Sequence, residues 1–265
     1  MPNAKHKIAF VLASSDHGTM IVNRFDYRMV NQEAGYGVGF QILEDGAYNK
    51  AEIELTSNLL QLRRTYFGDG VVAVDCGANI GVHTIEWAKK TSGWGSIVAI
   101  EAQERIFYAL AGNIAINNCF NAIAVFAAVS ADRGSMRVPR LDYLKPASFG
   151  SLELKKRNGG EFIGQPIDYS AENTTEVPTV SVDSLGLKRV DLIKIDVEGM
   201  ELEVLDGAEH SIRDHHPILF VEMLKVDADK LRLRLEQIDY QIFSVGMNIL
   251  AIHKNDRTKE HLKQT

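Results

Sequence analysis

Three carboxylates stand where segments rich in β-branched residues end and a turn begins: Asp75, Glu101 and Asp196. A carboxylate buried at the end of a strand needs a hydrogen-bond donor or a cation, and the ammonium group of an amino-acid ligand is one. A second carboxylate, about 20 residues after a glycine-containing turn, is where α/β nucleotide-binding folds contact ribose hydroxyls. The first two acids therefore predict a site for a ligand with both an amino-acid group and a nucleoside.

The turn after Asp75 reads Cys-Gly77-Ala-Asn79-Ile-Gly81. Gly77 permits a sharp turn, Gly81 permits close approach of a helix to a strand, and the start of that helix offers N–H donors to a ligand carboxylate. A nicotinamide dinucleotide is the competing ligand, but its fingerprint is Gly-x-Gly-x-x-Gly, and Asn79 replaces the middle glycine. Because a side chain there would meet the pyrophosphate, the loop favours a nucleoside with an uncharged linker.

The third acid belongs to the block Ile193-Lys-Ile-Asp-Val-Glu-Gly199, which ends a buried strand and opens a helix. Ligands of open α/β sheets bind at the carboxyl ends of the strands, so Asp196 is expected to point into the same crevice. Glu222 ends the next strand and adds a carboxylate to that edge. Lys194 lies inside the strand, which predicts a buried ion pair. Glu201 fits the positive end of a helix dipole.

The elements that must position these acids alternate between strands and helices after residue 70. Predicted strands are Val71–Asp75, Ser96–Glu101, Ile123–Val129, Val190–Asp196, Ile218–Glu222, Gln241–Val245 and Ile249–His253. Predicted helices are Ala51–Tyr66, Ile80–Lys90, Glu104–Asn118, Gly199–Asp214 and Ala228–Ile238. This alternation is typical of a doubly wound α/β sheet that is mostly parallel. Only three residues separate the last two strands, which predicts an antiparallel C-terminal hairpin.

The pattern divides the chain into three parts. Residues 1–68 are predicted to form a small N-terminal β/α extension of short strands and one helix, 69–255 a Rossmann-like domain, and 256–265 a polar tail. In the extension, Ile8–Leu12 is predicted to be a strand, and the alternation of glycines with larger residues over 35–40 predicts a second small β element. Residues 140–176 form a long loop rich in Gly and Pro. Since such loops are usually functional or disordered, this loop and residues 14–50 are candidates for the substrate side.

Composition argues against several classes of partner. Lys and Arg number 29 against 35 Asp and Glu, and no basic run could follow a phosphate backbone, so nucleic acid is not expected. No apolar run reaches the roughly 18 residues that a transmembrane helix needs. The two cysteines, Cys76 and Cys119, lack a metal-binding or redox spacing. These features favour a cytoplasmic protein that acts on a small molecule, and leave a homo-oligomer open.

Several of these blocks together closely resemble the FkbM-type methyltransferases, over about residues 50–255. The blocks are Asp75–Gly81, Glu101, the region around Asn117, Ala127–Ser130, Ser181–Leu185 and Ile193–Ala208. The resemblance implies a class I methyltransferase fold, S-adenosyl-L-methionine as donor, S-adenosyl-L-homocysteine as product, and a hydroxyl acceptor on a sugar, polyketide or other small molecule. The cofactor residues that it implies are Asp75, Gly77, Ala78, Asn79 and Gly81 for the methionine moiety, Glu101 for the ribose, Ala102 and Ala128 for the adenine side, and Asp196.

If the acceptor is an alcohol, a base must take its proton as the new bond forms. The candidate catalytic carboxylates are Asp196, Glu198 and Glu222, with Asp196 first. The same three acids could instead hold magnesium or calcium, because oxygen ligands suit both ions; we expect no metal. Two other functions stay open, namely a protein that binds the cofactor or its product without catalysis, and an NAD-linked oxidoreductase.

Overall fold

A computed structural model of the chain describes residues 8–31 and 35–262. The chain divides into two compact units, Met1–Asn49 with Arg137–Thr175, and Lys50–Met136 with Glu176–Thr265. The predicted division at 68/69 and 255/256 stays a prediction, and these units divide the chain elsewhere. Residues 1–7, 32–34 and 263–265, which belong to the predicted extension and tail, lie outside the described residues. Among the described residues, no helix has the length and apolar composition needed to cross a membrane.

The smaller unit begins with an antiparallel hairpin. Its elements are β1 (Phe10–Ser15), β2 (Gly18–Asn23), β3 (Arg28–Met29), β4 (Gly35–Tyr36) and α1 (Val38–Asp45). The predicted first strand is therefore present, shifted toward the C-terminus. The predicted second β element is wrong beyond Tyr36, because the chain turns helical at Val38. The reason is the buried Asp26 carboxylate, which accepts a hydrogen bond of 2.8 Å from the Gly39 N–H in the first turn of α1.

The two regions that the sequence singled out as candidates for the substrate side, 14–50 and 140–176, belong to this same unit except for their last residues, Lys50 and Glu176. The segment 140–173, which lies wholly within the described residues, contains two short 3₁₀ helices, Phe149–Ser151 and Ala171–Asn173, and no strand. The Asn23 amide donates to the carbonyl oxygen of Tyr143 at 3.0 Å. The Phe149 N–H donates to the second oxygen of Asp26 at 2.9 Å. The long loop is therefore fastened to the N-terminal hairpin.

The larger unit holds the main sheet. In chain order its elements are α2 (Lys50–Phe67), β5 (Val71–Cys76), α3 (Val82–Lys90), β6 (Gly95–Glu101), α4 (Glu104–Ile116), β7 (Ala122–Phe126), β8 (Ala128–Val129), β9 (Gly134–Pro139), β10 (Thr174–Val180), β11 (Leu192–Ile195), α5 (Glu201–Asp206), α6 (Glu209–His215), β12 (Ile218–Glu222), α7 (Ala228–Gln237), β13 (Tyr240–Val245) and β14 (Asn248–His253). The chain passes from one unit to the other within β9 and β10.

The main sheet has seven strands in the order β13-β14-β12-β11-β5-β6-β7. Within this sheet, the neighbouring strands β12, β11, β5, β6 and β7 all pair in parallel. Strand β14 is antiparallel to both β12 and β13. The prediction of a mostly parallel α/β sheet with an antiparallel C-terminal hairpin is confirmed. The insertion of β14 between β12 and β13 was not foreseen.

Two predicted elements are each divided in the structure. The predicted helix 199–214 is two helices, α5 and α6, separated at Gly207. A β-carbon on Gly207 would lie 2.3 Å from the carbonyl oxygen of Ser130, so the chain needs a glycine there. Asp183 starts the second helix by accepting the N–H groups of His210 and Ser211 at 2.9 and 2.8 Å. The predicted strand 123–129 likewise splits into β7 and β8.

A buried ion network fixes α2 at the amino ends of the parallel strands. Arg63 donates through Nε to Asp191, the residue before β11, at 3.0 Å and through Nη1 to Asp256 at 2.6 Å. Asp191 also accepts the N–H of Val72 in β5 at 2.9 Å. Asp256, at the start of the predicted polar tail, is thus buried, and the 3₁₀ helix Arg257–His261 follows it.

Candidate active site

The strand order of the main sheet reverses between β5 and β11. From β5 the chain crosses to β6 and β7 on one side, and from β11 it crosses to β12 on the other. In open α/β sheets, ligands bind outside the carboxyl ends of the strands where the order reverses. Asp75 and Asp196 lie at the carboxyl ends of β5 and β11, so the structure brings two of the predicted acids to this point.

The loop after β5 has three residues with positive φ: Gly77 at 79°, Asn79 at 51° and Gly81 at 90°. The N–H groups of Gly77 and Ala78 both donate to the carbonyl oxygen of Ile100, at 3.0 and 2.9 Å. This fastens the loop to β6. The sharp turn expected at Gly77 is present.

The expected reason for Gly81 was wrong in one respect. A β-carbon there would lie 2.5 Å from Cδ1 of Leu110, so the glycine makes room for a side chain of α4 and not for the backbone of a strand. Gly81 also precedes the first residue of α3 and serves as its N-cap. The glycine therefore remains necessary, but for packing between helices.

Asp75 is buried and only partly satisfied by its neighbours. Its Oδ2 accepts a hydrogen bond of 2.7 Å from the Thr84 hydroxyl, in the first turn of α3. Its Oδ1 accepts no hydrogen bond from the described part of the chain, and the Lys194 ammonium lies 3.7 Å away. Burial raises the pKa of Asp75, and Lys194 and Thr84 oppose that shift. A buried oxygen with a vacant lone pair is suited to a ligand N–H or ammonium group.

Glu101 connects the loop after β5 to the residue that precedes α4. Its Oε2 accepts the Asn79 N–H at 3.0 Å and its Oε1 accepts the Gln103 N–H at 2.7 Å. Burial raises its pKa to about 7, although these backbone N–H groups act in the opposite direction. Each carboxylate oxygen can still accept a second donor, such as a hydroxyl.

The residues predicted to flank adenine lie at the same edge. Ala102 and Ala128 are both buried. The Ala127 N–H donates to the carbonyl oxygen of Glu101 at 3.2 Å, which places Ala128 beside the end of β6. Ala128 also pairs with Thr179 of β10 in a parallel ladder. These small apolar side chains offer a flat, apolar boundary next to the carboxylate.

The three predicted catalytic carboxylates come together beside Asp75. Asp196, Glu198 and Glu222 each offer an oxygen, and these oxygens lie within 4.8 Å of one another. Such a group could hold a divalent cation, as the alternative interpretation of the sequence required. Two ammonium groups, however, already bind it: Lys194 lies 2.9 Å from Asp196, and Lys225 forms an ion pair with Glu198.

Two of these carboxyl groups have strongly raised pKa values. Burial, with the charge of Asp196, raises the pKa of Glu198 to about 8, and Lys225 opposes this. Burial, with the charges of Asp196 and Glu198, raises the pKa of Glu222 to about 9. Oε2 of Glu222 accepts no hydrogen bond from the described residues. At neutral pH Glu222 therefore favours the protonated form, which donates a hydrogen bond, whereas Glu198 is paired with the Lys225 ammonium.

Several residues of the site were missed or only partly understood from the sequence. The predicted buried ion pair of Lys194 is confirmed, but its two carboxylate partners were not identified. Lys225 and Thr84 were not considered. Glu201 is fully buried and accepts the Gly199 N–H at 3.0 Å. It therefore also holds the turn before α5, in addition to any interaction with the helix dipole. Its charge contributes to the raised pKa of Glu222.

Comparison with known proteins gives a consistent result. Residues 75–242 match the model of the methyltransferase FkbM domain. Methyltransferase sdnD of Sordaria araneosa is 29% identical over 156 residues, which span 51% of this chain and 60% of that protein. Methyltransferase 1 of Beauveria bassiana is 28% identical over 194 residues, which span 68% of this chain and 77% of that protein.

A solved structure that carries the same family name also matches this chain. The crystal structure of methyltransferase FkbM from Methylobacillus flagellatus KT has a TM-score of 0.48 and 20% identity, and the match covers 72% of this chain and 48% of that one. The family model covers more than half of the chain and includes every acid of the site from Asp75 to Glu222. The chain belongs to the FkbM family of methyltransferases.

Proposed function

We propose that this protein transfers a methyl group from S-adenosyl-L-methionine to a hydroxyl group of a small molecule. The observation that carries the proposal is the position of Asp75 and Asp196 on adjacent strand ends. Asp75 is buried, and its Oδ1 can receive a ligand. Asp196 is partly exposed and lies beside it. Membership of the FkbM family supports methyl transfer as the reaction.

The residues present fit the cofactor. The unsatisfied Oδ1 of Asp75 is suited to the ammonium of the methionine moiety, with the loop residues Gly77, Ala78, Asn79 and Gly81 around it. Glu101 has lone pairs left for the ribose hydroxyls, and Ala102 and Ala128 border the adenine side. When bound, S-adenosyl-L-methionine supplies an electrophilic methyl group on a sulfonium and leaves as S-adenosyl-L-homocysteine.

The role of the protein is then to align the acceptor and to take its proton. Alignment of reacting groups can contribute about 7–11 kcal/mol. Asp196 is partly exposed and ion-paired to Lys194, so its carboxylate can accept the proton of an acceptor hydroxyl. Glu222 holds its proton at neutral pH because of its raised pKa and can donate a hydrogen bond to the acceptor, whereas Glu198 is held by the Lys225 ammonium.

The charges around Asp196 favour a neutral acceptor. Asp196 and Glu198 are each ion-paired to one ammonium group, those of Lys194 and Lys225, and Glu222 retains its proton. Because these ammonium groups already bind carboxylates of the chain, a carboxylate or phosphate acceptor would have to compete with those carboxylates, whereas a hydroxyl carries no charge until it loses its proton. A hydroxyl is therefore the acceptor that this site favours.

Thermal unfolding with S-adenosyl-L-methionine, S-adenosyl-L-homocysteine and NAD in parallel tests the proposal. A ligand at one hundred times its dissociation constant stabilises by about 2.7 kcal/mol, which raises the unfolding midpoint of a protein of this size by roughly 5–10 °C. We expect a shift with both adenosyl ligands only. A shift with NAD alone would favour an oxidoreductase. Binding of both adenosyl ligands, without methylated product over a broad panel of alcohols, would favour a binding protein without catalysis.

A further inference from the structure

Lys194 is a buried lysine in the middle of the site. It lies in β11 directly opposite Asp75 in the parallel ladder with β5. Its ammonium is 2.9 Å from Oδ2 of Asp196 and 3.7 Å from Oδ1 of Asp75, and its side chain is only 8% exposed. One cation therefore contacts both a carboxylate of the cofactor loop and the candidate base.

We propose that Lys194 is a positioning residue that holds the carboxylates of Asp75 and Asp196 in place together and keeps Asp75 ready to bind the ammonium group of the cofactor. The proposal rests on the proposed function, because it takes Asp75 as the ligand of that ammonium group. A carboxylate buried as deeply as Asp75 is stable in its charged form only with a partner, and Thr84 supplies a hydroxyl but no charge.

The surroundings of Asp75 show why the ammonium of Lys194 matters. Among the described residues, Asp196, Glu101 and the Cys76 thiol also interact electrostatically with Asp75, and none of these three is a cation. Burial raises the pKa of Asp75, and Lys194 is the largest influence in the opposite direction. Removal of Lys194 would raise this pKa further.

A change in the pKa of Asp75 should alter the pH dependence of affinity only for ligands that carry an ammonium group. Below the pKa of Asp75, a ligand ammonium binds only if Asp75 first releases its proton, so affinity falls about tenfold for each pH unit. A nucleoside without the amino-acid end does not require this proton release. S-adenosyl-L-homocysteine carries that end and 5′-methylthioadenosine lacks it, so the two form a matched pair of probes.

The experiment is calorimetric titration of wild type and Lys194→Met with both nucleosides between pH 5.5 and 8.5. We expect the pH below which the affinity for S-adenosyl-L-homocysteine declines to move up by about 1–3 units in Lys194→Met, the range that a neighbouring charge produces. Any pH dependence of the affinity for 5′-methylthioadenosine, which reaches Glu101 through its ribose, should be the same in both proteins. Lys194→Arg keeps the positive charge and should stay close to wild type.

Lys254→Met is the control, because Lys254 is an exposed lysine paired with Asp239. It should not differ from wild type with either ligand. If Lys194→Met does not fold, Lys194→Gln, which can hydrogen-bond but carries no charge, takes its place. Equal weakening of both ligands with no shift along the pH axis would show that Lys194 is merely structural and would overturn the proposal. Failure of the wild type to bind either nucleoside would instead overturn the proposed function.

Discussion

The backbone of Gly77 lies so close to that of Asp196 that a β-carbon on Gly77 would be 1.9 Å from the Asp196 carbonyl oxygen. The Asp196 N–H also donates to the carbonyl oxygen of Cys76 at 3.1 Å. The turn after β5 and the turn after β11 are therefore in direct backbone contact. The position of Asp196, the candidate base, thus depends on residue 77 having no side chain.

Gly77→Ala should separate these two turns and abolish detectable binding of S-adenosyl-L-homocysteine in calorimetric titration. The added methyl group would overlap a main-chain oxygen, which cannot move aside as a flexible side chain does. Gly93→Ala is the matched control, since Gly93 also has positive φ, 83°, but nothing lies within 4 Å of its β-carbon position. It should cost about 1 kcal/mol of stability and leave affinity unchanged. Equal affinities for the two variants would contradict this account.

The acids at strand ends could be predicted because local pattern determines them. A β-branched run followed by a glycine turn locates Asp75, and the same reasoning locates Glu101 and Asp196. Lys225 could not be found in this way, because its contact with Glu198 depends on the path of an irregular segment after β12. Glu201 has the spacing of an ordinary helix-dipole residue, and only tertiary packing buries it.

The order of the last strands and the break between α5 and α6 likewise depend on contacts between residues far apart in the chain. The short separation of β13 and β14 predicts a hairpin, but either strand could have paired with β12, so the order was not determined. The apolar periodicity continues through Gly207, which is why one helix was predicted where α5 and α6 stand. The contact with Ser130 that requires this glycine comes from a residue 77 positions earlier in the chain.

Glu222→Gln should stabilise the protein, and more so as the pH rises. The pKa of Glu222 is raised from 4.5 to about 9 in the folded state, so the folded form retains a proton that the unfolded form loses. The contribution of Glu222 to the stability of wild type is therefore fully present below about pH 4.5 and is lost as the pH rises to about 9. Glutamine carries no charge at any pH, so its advantage should be absent at pH 4.5 and reach at least about 1 kcal/mol at pH 8.5.

Thermal unfolding at several pH values between 4.5 and 8.5 checks this prediction. Glu236→Gln on the exposed face of α7 is the control and should leave the midpoint unchanged throughout. A Glu222→Gln midpoint that follows wild type at every pH would mean that the buried carboxyl group has a partner that keeps it ionised.

Arg63→Met should be among the most destabilising single changes in the larger unit. It removes the cation that Asp256 and Asp191 share; Asp191 keeps its ion pair with Arg189, but the buried Asp256 loses its pair with Arg63, and such a loss costs about 3–5 kcal/mol. Arg64→Met removes the neighbouring residue, whose ion pair with Asp69 is exposed, and should cost less than about 1 kcal/mol. Urea unfolding of both variants measures the difference, and similar costs would argue against the importance of the network.

Chelation should leave methyl transfer nearly unchanged. Lys194 and Lys225 already supply positive charge to Asp196 and Glu198, so these carboxylates need no metal ion for neutralisation. Protein treated with EDTA and assayed in metal-free buffer should keep its turnover within about twofold, because in the proposed mechanism Asp196 accepts the proton and no metal is required to assist that transfer. A loss of activity that magnesium restores would assign a cation to Asp196, Glu198 and Glu222 instead.

Asp196→Asn should separate binding from catalysis. Asparagine has nearly the same shape and keeps one oxygen, but its amide cannot take a proton from an acceptor hydroxyl. General base catalysis contributes about 10²–10⁴-fold, so transfer of labelled methyl groups to alcohols should fall at least a hundredfold. Affinity for S-adenosyl-L-homocysteine should stay within about threefold in calorimetry, since the backbone contact between this turn and the cofactor loop does not involve the side chain.

Asp229→Asn, at an aspartate in the first turn of α7, is the control for the loss of one carboxylate and should keep wild-type turnover. If Asp196→Asn also turned over at the wild-type rate, Asp196 could not be the base. The role would then pass to Glu198 or Glu222, and their raised pKa values would require that the rate of transfer still increase between pH 7 and pH 9. The pH dependence of turnover in the Asp196→Asn variant therefore tests whether Glu198 or Glu222 has taken over the role of the base.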